Sequence, residues 1–364
     1  MRILVLNWRD LKNPAAGGAE VYTHQIMKRL AKQHEITQFS AYFPGAKKDE
    51  TIDGVRIVRG GNALTVYLHA FLFYCFGLKK KPDVVIDECN TLPFFTPFYV
   101  RKPAKRVFLI HQLAVEFWDY EVLWPFSKVG KFFEPLLLRL YRNEKTITVS
   151  NSTKQDLLAL GFKDVSIVEN GLDMPVCKSV PRKFKDPTVL FVGRLKRAKG
   201  PQIAVEAMIE AKKRIPNLQG YVVGDGYMRK ELEQKIRKAR ASGYIRLTGF
   251  LPKHEVTALM KKSHVLVVPS IREGWGQVVI QANACGTPAV GFDVPGLRDS
   301  ICDNLTGLLV NSNGAVSLSN KIIILFFKKK RFDKITKNTL KWAQKFNWEK
   351  SSLKLNRLIL SSPV

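Results

Sequence analysis

The chain is short of acid. It sets 31 Asp and Glu against 59 Lys and Arg, a formal net charge of +28 over 364 residues. A field of that size favours anionic partners: nucleic acid, an acidic membrane face or phosphorylated ligands. Cysteine is scarce as well. The five residues (Cys75, Cys89, Cys177, Cys285, Cys302) are odd in number and scattered, and none falls in a C-x-x-C pair. That spacing argues against a disulfide framework or a zinc site and for a reducing compartment. The longest apolar runs, 64–78 and the interrupted 92–100, are shorter than the roughly 18 to 20 residues needed to cross a bilayer. The opening "MRILVLNW" runs straight into a strand pattern without the parts of a secretory signal. A cytoplasmic protein is expected. There is no repeat of 20 to 50 residues, no low-complexity tract, no acidic cluster at metal-ligand spacing, and neither an RNP-like strand nor a helix-turn-helix signature.

At 46% apolar residues, a chain of this length can bury two cores. Short apolar strands at 2–8, 83–88, 106–111 and 146–150, separated by longer stretches, have the alternation of a parallel sheet covered by helices. A Pro- and Lys-rich break without period at 174–187 predicts a linker. A second series then begins at "TVLFVGRL" and continues through "GYVVGDG", "IRLTGF", "HVLVVPS" and "AVGFD". The expectation is two doubly wound α/β domains facing a central cleft: 1–173, a linker 174–187, and 188–340. A helical segment, 341–364, is expected to pack back towards the first domain. The basic stretches 322–332 and 341–350 both read as helices. Sheets of this kind bind ligands at the carboxyl ends of their strands.

Three loops carry glycine at such ends. In "NPAAGGAE", Gly17 and Gly18 precede a helix, where the backbone can approach a ligand and free N–H groups attract anions. A plain βα turn would read the same way. "GRLKRAKG" sets Arg194 and Lys199 beside glycines, a pairing that suits a diphosphate and equally a solvated basic loop. In "REGWGQ", Gly274 and Gly276 flank Trp275, with a helix from about Gln277. Glu273 then sits at a strand end beside a helix start, a costly place for a carboxylate unless hydroxyls or a cation engage it.

These segments, with "GDG" (Gly224 to Gly226), "TGF" ending at Phe250 and "PSIREGWGQVVIQANACGTPAVG", resemble the retaining glycosyltransferases of family 4. Those are GT-B enzymes that use sugar nucleotides, and the resemblance covers nearly the whole chain in order. It implies donor binding by Gly17, Gly18, Arg194, Lys199, Gly224, Gly226, Phe250, Glu273, Gly274, Trp275, Gly276, Gln277 and Gln281. Within that set it gives the diphosphate to Gly17, Gly18, Arg194 and Lys199. It implies that Glu273 contacts the transferred sugar near the reacting carbon. The second Glu of the family's pair, which holds the ribose, is Gln281 in this chain. An amide keeps one acceptor and gains a donor but loses charge-assisted strength, so ribose binding weaker by roughly 1 kcal/mol is expected. His111 stands where the family often has a histidine near donor sugar and acceptor, and Asp87 and Glu88 are weaker candidates for acceptor hydroxyls. Glu273, His111, Arg194 and Lys199 form the expected catalytic set.

The resemblance thus predicts retaining, metal-independent transfer of a hexosyl unit from a UDP- or GDP-sugar, with no further cofactor, to a glycan or lipid-linked acceptor in surface polysaccharide, glycolipid or protein glycosylation. Aromatic and basic residues mixed over 64–81, 115–142 and 322–334 also suit an anionic membrane surface, which would place the protein peripherally on the inner face of the plasma membrane. Ordinary core helices with solvated lysines would show the same composition. The competing readings are a nucleotide- or polyanion-binding protein of this fold without activity and a sugar-nucleotide epimerase; nucleic acid is not the expected partner.

Overall fold

The computed structural model describes residues 1–311 and 314–361. The chain folds into two compact units. One comprises Met1–Val115, Lys128–Gly171 and Asn347–Val364; the other comprises Glu116–Ser127 and Leu172–Phe346. Residues 362–364 of the expected C-terminal segment lie outside the described residues.

The first unit is built on eight strands: β1 (Arg2–Leu6), β2 (Glu35–Ser40), β3 (Asp49–Ile52), β4 (Val55–Arg59), β5 (Val84–Cys89), β6 (Lys105–Ile110), β7 (Lys145–Thr148) and β8 (Val165–Ile167). Their order is β3-β4-β2-β1-β5-β6-β7-β8. Every pair is parallel except the β3/β4 hairpin. Ile3, Leu4, Val5 and Leu6 of β1 are all at most 1% exposed, as befits a parallel strand covered on both faces. The strands β2, β3, β4 and β8 lack such apolar runs, and the sequence expectations missed them. Order changes direction between β1 and β5, so the crevice at their carboxyl ends is a topological switch point.

The C-terminal helix Trp348–Leu360 belongs to this unit, packed on the helix Gly18–Leu30. Buried Trp348 stands edge-on to Tyr22 at 5.8 Å, and a Cβ on Gly171 would come within 2.4 Å of the Trp348 backbone nitrogen. Gly171 is therefore a packing requirement, since no larger residue could pass so close to that helix.

The second unit has six parallel strands: β9 (Thr188–Val192), β10 (Gln219–Val223), β11 (Ile245–Gly249), β12 (Val265–Val268), β13 (Ala289–Phe292) and β14 (Gly307–Val310). They run in the order β11-β10-β9-β12-β13-β14. The switch point here lies between β9 and β12. The basic stretch expected as one helix over 322–332 is two helices, Ala315–Phe327 and Lys329–Ala343. They are broken at Lys328, whose φ of −104° and ψ of 69° are not helical. The stretch 341–350 is likewise divided, by the cap residue Asn347.

Candidate active site

In the second unit the loops after β9 and β12 are drawn together by backbone contacts. Ile271 donates its N–H to the Ala198 carbonyl at 3.1 Å. Gly200 adopts a left-handed φ of +66°, and a Cβ there would lie 2.3 Å from the Pro269 carbonyl oxygen. Only glycine allows this approach. Its result is that Lys199, the next residue back, places Nζ 2.6 Å from Glu273 Oε1. Ser270 Oγ donates to the same carboxylate oxygen at 2.8 Å. Glu273 is thus held by a cation and a hydroxyl, with its side chain 14% exposed. The sequence reading did not include Ser270, although a serine three residues before Glu273 in the same loop was visible.

Arg194 is exposed in the loop after β9, with no ion pair among the described residues. Gly276 caps the helix Gln277–Ala284 at a φ of +81°. Gln277 and Gln281 are one turn apart on that helix and so share a face. Two backbone donors of the β9 loop are already engaged. Ala198 donates its N–H to Glu121 Oε1 at 2.9 Å, and Arg197 donates its N–H to the Tyr227 hydroxyl at 2.8 Å.

Several of the expected donor residues also have packing roles within the unit. Trp275 is 7% exposed and its ring packs edge-on against Phe346 at 5.1 Å, so the indole belongs to the interior of the unit. Gly224 and Gly226 are glycines because the β10 turn presses on the β9 loop: added Cβ atoms would stand 1.9 Å from the Gly193 carbonyl oxygen and 2.5 Å from that of Leu195. Phe250 is 83% exposed. Gly274 gains no specific role from the geometry.

In the first unit, Glu20 organises the glycine loop. Its Oε2 accepts the Gly17 N–H at 2.6 Å and its Oε1 accepts from Arg9 Nε at 2.9 Å. A Cβ at Gly18 would meet nothing within 4 Å, so its surroundings leave room for a close-lying ligand. The Gly-Gly-Ala-Glu spelling carried the signal for Glu20, as an acid three residues into a helix bonding back to its start.

His111 follows β6, with Nε2 3.1 Å from Glu88 Oε1. Glu88 is fully buried and its other oxygen accepts from Thr23 Oγ1 at 2.6 Å. The ring of Tyr22 stands perpendicular to the imidazole at 5.0 Å. Glu88 therefore faces His111 and Thr23, not an acceptor. Asp87 is likewise corrected. At 1% exposure it accepts from the N–H groups of Phe94 and Thr96 and from the hydroxyls of Thr96 and Tyr141. Burial pushes its carboxyl above the usual range, against the effect of those hydrogen bonds. It braces the 90–100 segment, and its burial keeps it from a sugar.

A cavity of about 270 Å³ lies at the amino ends of β1 and β2, lined by Arg2, Glu35, Arg56 and Lys79 among others. It is at the opposite ends of the strands from Glu88 and His111. Among the described residues, no three His, Cys, Asp or Glu side chains gather as a metal site would require. No helix among them is long and apolar enough to cross a membrane.

Comparison with known proteins supplies the context. Residues 178–342 match the family model "Glycosyl transferases group 1" and residues 16–174 match "Glycosyltransferase Family 4". An uncharacterized glycosyltransferase of Methanocaldococcus jannaschii is 33% identical over 340 residues, which is 93% of this chain and 92% of that one. Among solved structures, sucrose-phosphate synthase from Thermosynechococcus elongatus superimposes with a TM-score of 0.77 at 21% identity, covering 98% of both chains. Anabaena HepE, solved with UDP-glucose, superimposes with a TM-score of 0.75 at 17% identity over 100% of both chains. At such identities these two likenesses speak for the GT-B fold alone.

Proposed function

Because the chain belongs to the group 1, family 4 glycosyltransferases, we propose that it moves a hexosyl unit from a nucleoside-diphosphate sugar to a glycan or lipid-linked acceptor, with retention and without a metal ion. The observation that carries this reading is the Lys199–Glu273 pair at the β9/β12 switch point, 2.6 Å apart.

Breaking a glycosidic bond to a diphosphate builds positive charge on the sugar and negative charge on the departing phosphates. Lys199 and exposed Arg194 supply fixed positive charge for the leaving group, the task a metal performs elsewhere. Glu273, oriented by Ser270 and Lys199, receives the sugar's hydroxyls. Gln281 takes the ribose with its amide. By the family resemblance, His111, held by Glu88, takes the role at the sugar and acceptor hydroxyl, and Gly17 and Gly18 take a role in donor binding. UDP-glucose is the first donor to test, since HepE was solved with it.

The surface supports a peripheral, cytoplasmic-leaflet location for a lipid-linked acceptor. Leu123, Trp124, Phe126 and Phe132 are 84%, 78%, 70% and 67% exposed, with Lys128 and Lys131 among them. Apolar side chains that insert and cations that meet lipid phosphates are what an interfacial helix needs.

Calorimetric titration of the purified protein with UDP, GDP and ADP in metal-free buffer tests the donor class. Micromolar binding of one nucleotide, lost in Lys199→Ala, is the expected result. Proton NMR of the first product formed from an α-linked donor then reads the anomer: an α product agrees with retention, and a β product overturns it.

A further inference from the structure

Glu116–Ser127 is out of place in the fold. The chain on either side of it belongs to the first unit, yet these residues pack within the second. The segment begins with the short helix Glu116–Glu121, and three of its six residues are acids in a chain of net charge +28. Phe117, Trp118 and Val122 are half-buried, and two of the acids are polar anchors. Glu116 pairs with Arg272 through Nε, and through Nη2 at 3.3 Å. Glu121 Oε1 accepts from the Ala198 N–H at 2.9 Å and from the Tyr227 hydroxyl at 3.1 Å, while that hydroxyl accepts the Arg197 N–H. No residue of the short helix is buried. The apolar residues that follow, Leu123, Trp124 and Phe126, are largely exposed and add no hydrophobic anchor here.

We propose that this acidic strap is an internal competitor for the donor's diphosphate. Its carboxylates sit on the Ala198 N–H beside Lys199 and on Arg272, the neighbour of Glu273, and donor binding must lift them. An anion at those positions is already satisfied by the protein itself, so a nucleotide gains only the difference between its own phosphates and the two carboxylates. The anchoring chemistry suits exchange. Glu116 keeps 42% of its side chain exposed, and a segment in which no residue of the short helix is fully buried opens at smaller cost than the core. Lifting the strap takes the Glu116 carboxylate off Arg272, whose side chain is only 7% exposed, and the planar guanidinium then turns a donor to phosphate beside Lys199. Arg272 is thereby assigned as a further donor-binding residue.

This inference rests on the donor-site reading above, and one set of measurements separates the two. UDP and inorganic diphosphate are titrated calorimetrically into the wild-type protein and into the Glu116→Gln/Glu121→Gln double variant. The variant is expected to bind both ligands about five- to tenfold more tightly, and Arg272→Met in that background is expected to remove most of the gain. Independently of any variant, hydrogen exchange on the wild-type protein is expected to show faster amide exchange over 116–127 when UDP is added. Equal or weaker binding by the double variant, with exchange over the strap unchanged or slowed by UDP, overturns the strap proposal and leaves the donor site standing. Absence of UDP and diphosphate binding in both proteins overturns the donor-site reading and the strap proposal together.

Discussion

Lys199 and Glu273, 74 positions apart in the chain, meet at 2.6 Å because Gly200 lets one loop lie against the carbonyl of Pro269 at the end of the neighbouring strand. Each partner holds the other in place. Lys199→Ala is expected to lower kcat/KM by about 10²- to 10³-fold, with weakened UDP binding, because it removes charge from the leaving group's site. Glu273→Gln is expected to lower kcat by a similar factor and to leave UDP affinity near wild type. Steady-state kinetics with the donor identified by titration, alongside UDP calorimetry, checks both.

Gly200→Ala tests the approach of the two loops without touching a charged group. The added methyl would sit 2.3 Å from a backbone oxygen at a φ of +66°, so the loops must part or the backbone must strain, at a cost of about 1 to 3 kcal/mol. A lower midpoint in urea, accompanied by weaker UDP binding, is expected. Unchanged stability would show that the loops are not in this contact in solution.

Gln281→Glu restores a carboxylate where the family holds the ribose. An increase in UDP affinity of about tenfold or less is expected, since a charge-assisted hydrogen bond exceeds a neutral one by only about 1 kcal/mol. If the native protein binds no nucleotide and the variant binds well, Gln281 has disabled the site.

Stability should depend on acid through His264. Its Nδ1 accepts the Thr188 N–H at 3.1 Å, and its ring packs on Phe326 and Phe332 at 5.5 and 6.1 Å. Burial, with a smaller contribution from the Lys183 ammonium, lowers its pKa from 6.5 to about 4. Between those values the unfolded chain takes up a proton that the folded chain refuses. The stabilisation is therefore complete above pH 6.5 and is lost as pH falls towards 4. Thermal unfolding of the wild-type protein is expected to show this loss, and His264→Asn is expected to flatten the profile across that window. Parallel wild-type and variant profiles would exclude His264 as the source.

Membrane attachment is testable at Trp124 and Phe132. Sedimentation with liposomes containing acidic phospholipid at low salt is expected to carry the wild-type protein down. Trp124→Ala/Phe132→Ala should weaken that binding several-fold, and about 0.5 M salt should release most of it. Protein that stays in the supernatant under all conditions would remove the membrane from its function.

Much of the architecture was legible in the sequence because buried parallel strands such as 3–6 and 265–268 are unbroken apolar runs, and glycine-bearing loops follow them. These features are local, and the pattern that identifies the family from Pro269 to Gly291 is local as well. The amide at Gln281 and the surplus of lysine needed no coordinates at all. Which loops become neighbours was decided only by strand order, since β9 and β12 pair across some 70 intervening residues and no periodicity encodes that choice. The same holds for side chains whose roles depend on distant partners. Asp87 looked available until Tyr141 and Thr96 closed on it, and nothing near Trp275 in the sequence announces that its ring will pack on Phe346. Nor does anything in "EFWDYE" announce that its acids will rest on Arg272 and the Ala198 amide. Propensity and pattern act over a few residues, whereas burial and electrostatic pairing act through space, and the candidate site is made of the latter.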